Sequence, residues 1–242
     1  MKRTLIALLL LSLPVAYLAW WSQKVAAQVA SSDPTVWEEA IAAFETTPGD
    51  TPAEAFLFVG SSSIRLWRTL HEDMAPLPVI QRGFGGSRIG DVLHYADRLI
   101  TRFDPSAVIV FVGSNDINVT ETPQQAMTAV PVIADGFEQL VDTIHANRAD
   151  TQIFWIDITA TRFSWDKLAA VDAANAAVGK ICAARRQVHC IHTRDIFVNN
   201  RGELDDSLFV LDGLHLNSSG YSRWTERIKP VLQGTVVEVA SP

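Results

Sequence analysis

The stretch Ala55-Phe56-Leu57-Phe58-Val59-Gly60-Ser61-Ser62-Ser63-Ile64 sets the reading of the whole chain. An unbroken apolar run that stops at glycine and passes into small hydroxyl residues has the form of a strand buried on both faces and ended by a tight turn. Residues 64–70 then carry helical spacing, so the three serines fall where a strand hands over to a helix. Backbone N–H groups are unpaired at such a start, and a hydroxyl stands beside them. That combination suits a nucleophile that must also bind an oxyanion. It equally suits serines that only cap the helix.

Outward from this stretch the same pattern repeats. Apolar runs at about 55–60, 78–80, 107–112, 153–158 and 188–191 alternate with helical patterns near 34–46, 64–70, 88–102, 123–147, 166–185 and 218–232. This alternation predicts one α/β domain, a three-layer α/β/α sandwich around a five-stranded parallel sheet. Asp33-Pro34 opens the first helix as an N-cap followed by proline. Its stripe of Trp37, Ile41 and Phe44 reads as a core face rather than a ligand site. No internal repeat or second domain is visible.

Three further segments carry chemistry, each at a strand end or in the last loop, where open α/β sheets bind ligands. Arg82-Gly83-Phe84-Gly85-Gly86-Ser87 places three glycines in four positions, which lets a backbone come close to a ligand. It is not a dinucleotide fingerprint, because Arg88 stands where the last glycine of that spacing belongs. Gly113-Ser114-Asn115-Asp116 closes a strand with an Asn that either forms a turn or donates its carboxamide into a pocket. Asp212-Gly213-Leu214-His215 sets an acid one turn from an imidazole, able to fix its tautomer and steady its charged form.

In order, spacing and placement, these four segments resemble the SGNH hydrolases, the GDSL-type esterases and lipases, over roughly Phe56 to Leu232. The Phe-Val-Gly-x-Ser and Gly-x-Gly-Gly patterns are most similar to the branch related to platelet-activating-factor acetylhydrolase subunits. The resemblance implies a flavodoxin-like sheet and a serine esterase needing no metal or organic cofactor. It makes Ser62 the nucleophile and Asp212 and His215 the acid and base. Ser62, Gly86 and Asn115 become the oxyanion hole. The family's Asp before the nucleophile is Ser61 here, and three consecutive serines leave two registers. Ser63 fits the following Ile64, but Ser62 keeps glycine at the strand end, the harder constraint.

The N-terminus points to export. Lys2 and Arg3 precede an almost unbroken apolar run from Leu5 to Trp21, with Val25-Ala26-Ala27 as a cleavage site. The run also reaches the short end of a membrane span, so residues 1–27 are either a cleaved signal peptide or an anchor. Residues 28–242 would form the hydrolase domain, periplasmic or extracellular.

The chain carries a net −7, and losing Lys2, Arg3 and Lys24 would make it more acidic still, which disfavours nucleic acid as a partner. Cys182 and Cys190, the only cysteines, lie at a helix end and on the next strand, either bridged or buried as thiols. His189 and His192 flank Cys190, but i and i+3 point to opposite faces of a strand, so a metal site is not expected. Trp67, Phe163 and Trp165 either line a pocket or belong to the core. Two functions stay open: an exported esterase acting on small acyl esters of glycans or lysolipids, and a non-catalytic module that binds an acylated glycan or lipid on the same scaffold.

Overall fold

A computed structural model describes residues 23–24, 27–46, 52, 54–199 and 201–239. The leader or anchor expected over residues 1–27 lies outside them, apart from residues 23, 24 and 27. Among the described residues no helix is long and apolar enough to cross a membrane.

A 3-10 turn at Pro34–Trp37 leads into α1 (Glu38–Thr46). Asp33 caps that turn, its carboxylate accepting from the Thr35 N–H at 2.9 Å. There follow β1 (Phe56–Gly60), α2 (Ser62–Arg65), α3 (Leu70–Met74), β2 (Val79–Gly83), α4 (Ile89–His94), α5 (Ala96–Leu99) and β3 (Ala107–Phe111). The second half holds α6 (Ser114–Asn118), α7 (Pro123–Asn147), β4 (Gln152–Ile156), α8 (Leu168–Ala184), β5 (Val188–Ile191) and α9 (Ser218–Val239). The five strands form one sheet in the order β2-β1-β3-β4-β5, with every pairing parallel.

Both faces of the sheet are covered, as continuous apolar strands require. Leu57, Val59, Val108 and Val110 pack with Ile133, Phe137 and Val171 of α7 and α8. Phe56, Phe58, Ile109 and Phe111 pack on the opposite face with Trp67, Tyr221, Trp224 and Ile228. Trp67 stacks on Tyr221 at 5.3 Å between ring centroids, and Phe111 meets Trp224 edge-on at 4.7 Å. These rings clamp α9 beneath the serine turn, where the Tyr221 hydroxyl donates to the Ser63 carbonyl at 2.8 Å.

Several boundaries differ from those read in the sequence. The helix expected over 64–70 starts earlier, at Ser62, and stops at Arg65. Gln81 ends it, donating its amide to the carbonyls of Ile64 and Trp67 at 2.5 and 3.1 Å. The helix expected over 88–102 breaks at Tyr95, whose hydroxyl donates to the Pro34 carbonyl at 3.1 Å. Strand β2 runs on through polar Gln81 and Arg82 because it is an edge strand, and Arg82 lies over the rings of Phe44 and Phe103. Cys182 and Cys190 are joined in a disulfide that ties the end of α8 to β5.

Candidate active site

The strand order reverses direction between β1 and β3: the chain moves outward from β1 to β2, then crosses to β3 on the other side. A crevice opens at the carboxyl ends of two strands whose connections leave in opposite directions. Ser62 follows one of them and Asn115 the other.

β1 ends at Gly60, whose φ of +142° turns the chain sharply into α2. Ser61 is the N-cap and is buried, and its N–H donates to the Phe111 carbonyl at 3.0 Å. Ser63 is buried as well, so of the three serines Ser62 is the one that opens into the crevice. Its Oγ lies 2.9 Å from His215 Nε2, and His215 Nδ1 lies 2.7 Å from Asp212 Oδ2. The other carboxylate oxygen of Asp212 accepts from the N–H groups of Leu214 and His215 at 2.8 and 2.9 Å. Burial alone would raise the Asp212 pKa, but the His215 N–H, the His215 ring and the Leu214 N–H outweigh it. They hold the carboxyl below its ordinary value. An ionised Asp212 fixes His215 with Nδ1 as the donor, leaving Nε2 free to accept a proton from Ser62.

Asn115 sits in the first turn of α6, and its side-chain N–H donates to the Ser87 carbonyl at 2.8 Å. That bond orients the carboxamide and leaves its second N–H for a ligand. Gly86 has a φ of +81°, and a Cβ there would stand 2.4 Å from Val29 and 3.0 Å from the Trp37 ring. The glycine therefore allows the N-terminal segment to close over this loop. The structure thus gathers Ser62, Asn115, Gly86 and His215 around one groove of about 720 Å³, with Asp212 behind His215. Beside Ser62 and Asn115 a notch of about 10 Å³, backed by Thr159, Thr161 and Leu214, has room for little more than a water molecule.

The groove's apolar wall comes from Val29, Val36, Trp37, Ala40, Ala43 and Phe44. Here the sequence reading is corrected. The stripe on α1 and its preceding turn serves both the core and the groove, because Trp37 is packed inside while Phe44 is only half-buried. Trp67 is core, and neither Phe163 nor Trp165 lines the groove. Gln28 and Val29 also contribute. Arg88 donates to the Val29 carbonyl and Gln28 to that of Val36 at 3.0 Å, which seats residues 27–30 against the domain. Only a contact pattern, not a motif, could have revealed them. His189 and His192 are engaged separately, with Gln152 and Asp157. Among the described residues no group of three or more His, Cys, Asp or Glu could hold a metal ion.

The model of the GDSL-like lipase/acylhydrolase family matches residues 48–223. No curated protein sequence matches the chain. Among solved structures, the chain is similar to a Streptococcus pneumonia protein provisionally described as a platelet activating factor. That match has a TM-score of 0.67 at 18% identity and covers 91% of this chain and 99% of that one. It is also similar to a GDSL-like lipase from Bacteroides thetaiotaomicron, with a TM-score of 0.64 at 16% identity over 86% of this chain and 99% of that one. A lipase/acylhydrolase from Enterococcus faecalis gives 0.60 at 17% identity, over 75% and 96%. At these identities the structural likeness is one of fold, and the family assignment rests on the sequence model. The chain belongs to the GDSL-like lipase/acylhydrolase family and is a carboxylic ester hydrolase.

Proposed function

We propose that this protein is an exported serine esterase that removes small acyl groups from larger alcohols through a Ser62–His215–Asp212 triad. The observation that carries the reading is the unbroken hydrogen-bond chain from Ser62 Oγ through His215 to Asp212, set beside Asn115 and Gly86. His215 Nε2 takes the proton of Ser62 as its oxygen attacks the ester carbonyl, then returns that proton to the leaving alcohol. Asp212 steadies the imidazolium in between. The N–H groups of Ser62 and Gly86 and the free amide N–H of Asn115 receive the oxyanion, each such donor typically contributing about 3–4 kcal/mol in the transition state. Water activated by the same histidine then releases the acid.

The notch admits no more than the methyl-sized end of an acyl group, and the groove supports a larger alcohol half, as in acetyl esters of glycans or lysolipid-type esters. Export rests on the basic start and the apolar run from Leu5 to Trp21. A module that only bound acyl groups would have no use for a proton-transfer chain at its centre. The test is hydrolysis of p-nitrophenyl acetate and p-nitrophenyl octanoate by the purified chain. The acetate should be turned over faster. Ser62→Ala and His215→Ala should each lower kcat by at least about 10³-fold. Turnover that survives both changes would defeat the assignment.

A further inference from the structure

We propose that Arg65 is the specificity-determining cation of this site, receiving a carboxylate or phosphate carried by the alcohol half of the ester. The inference rests on the esterase reading above. Ser62 and Arg65 are i and i+3 on α2, so their side chains leave one face of a single helical turn, about 5–6 Å apart at Cβ. Both line the groove that also holds His215. The guanidinium lies over the glycine loop: a Cβ on Gly85 would stand 3.0 Å from its Nη2 and 3.2 Å from its Nε. The missing side chain at Gly85 therefore leaves the guanidinium its place against the glycine loop, in the groove that Ser62 lines.

The charges along the groove are otherwise matched. Lys24 Nζ lies 3.6 Å from Glu39. Among the described residues the Arg65 guanidinium has no hydrogen bond or ion pair, only the backbone N–H being engaged, with the Ser61 carbonyl. One positive charge is thus left uncompensated in the groove of a chain that carries −7 overall. A planar fork of N–H donors is the group best matched to the paired oxygens of a carboxylate or phosphate. The notch beside Asn115 admits no more than the methyl-sized end of an acyl group, so the anion falls on the alcohol side. An anion carried by the alcohol half of an ester held at Ser62 would therefore share the groove with the guanidinium.

Three acetyl esters of matched length test this: 2-hydroxyethyl acetate, 3-acetoxypropanoate and 2-acetoxyethyl phosphate, followed by acid release at constant pH. The wild-type chain should show a kcat/KM about tenfold or more higher for at least one anionic ester than for the neutral one. The preferred anion distinguishes carboxylate from phosphate. Arg65→Gln should collapse that ratio to near one, and Arg65→Lys should keep part of it. Arg65 is exposed, and a thermal melt of each variant checks that the fold is retained. A neutral ester hydrolysed as well as both anionic ones, or a preference that survives Arg65→Gln, would overturn the proposal. Labelling of Ser62 by a fluorophosphonate without turnover of either anionic ester would overturn it too, leaving the esterase reading intact. Absence of both labelling and turnover would defeat both.

Discussion

Gly60 and Phe111 approach so closely that no side chain fits between them: a Cβ on Gly60 would lie 1.9 Å from the Phe111 carbonyl oxygen. The same carbonyl accepts the Ser61 N–H, so β1 and β3 stay paired to the last residue before the chain turns into α2. This contact decides the register of the three serines. With glycine fixed at position 60, Ser61 is drawn inward as the cap and Ser62 is presented to His215.

Gly60→Ala should therefore be among the most damaging single-methyl changes in the chain. The clash is with backbone, and the φ of +142° is one that a Cβ disfavours in any case. A loss of about 3 kcal/mol or more in denaturant unfolding is expected, with activity falling alongside. A variant with wild-type stability would show that the strand end can shift.

Asn115 should act mainly on the chemical step. Asn115→Ala removes a donor from the oxyanion and should lower kcat by about 10²–10³-fold with little change in KM. It also removes the bond to the Ser87 carbonyl, which should cost only about 1 kcal/mol of stability. Asn115→Asp should be at least as harmful, since it sets negative charge beside both the oxyanion and that carbonyl. Steady-state kinetics with thermal melts separate these effects. Full activity in Asn115→Asp would remove this residue from the site.

Asp116, next in sequence, is buried and accepts the Ile89 N–H at 3.2 Å. Burial pushes its carboxyl up to about 7, against the opposing pull of the Ile89 N–H. A carboxyl raised in the folded state contributes stability that is full below its unfolded value near 4 and is lost as pH rises through about 7. Asp116→Asn keeps the acceptor and cannot ionise. Relative to wild type it should gain stability between pH 4 and pH 8, on the order of a few kcal/mol. Unfolding curves at several pH values test this, and a difference that does not vary with pH would contradict it.

The Cys182–Cys190 bridge closes a short loop between α8 and β5, away from the groove. Its loss in Cys182→Ala should cost about 2–3 kcal/mol by loop-closure entropy. Ester hydrolysis at moderate temperature should be largely retained. A large loss of kcat in a folded variant would mean that β5 reaches the site in a way the geometry does not suggest.

The fold was legible because parallel strands buried on both faces leave continuous apolar runs, and the five runs correspond to β1 to β5. What escaped was set by contacts distant in sequence. Gln81 captures the carbonyls that stop α2, and no local signal at residues 64–70 announces it. The edge position of β2 allows Gln81 and Arg82 within a strand, so the apolar run ended before the ladder did. At the site, Ser62, Gly86, Asn115, Asp212 and His215 could be named in advance only because the four segments together resemble the SGNH pattern; the strand ends and spacings alone left each open to a plainer role as cap or turn. The groove wall could not. Val29 and Phe44 are ordinary apolar residues, and only the closure of the N-terminal segment over Gly86 turns them toward the substrate side.

The central claim is that Ser62 is the nucleophile activated by His215. Incubating the purified chain with a fluorophosphonate and mapping the adduct by peptide mass spectrometry tests it most directly. The adduct should sit on Ser62. Ser62→Ala should abolish it, while Ser61→Ala and Ser63→Ala still label. His215→Ala should slow labelling by orders of magnitude. An adduct on Ser63, or labelling that persists in Ser62→Ala, would contradict the account.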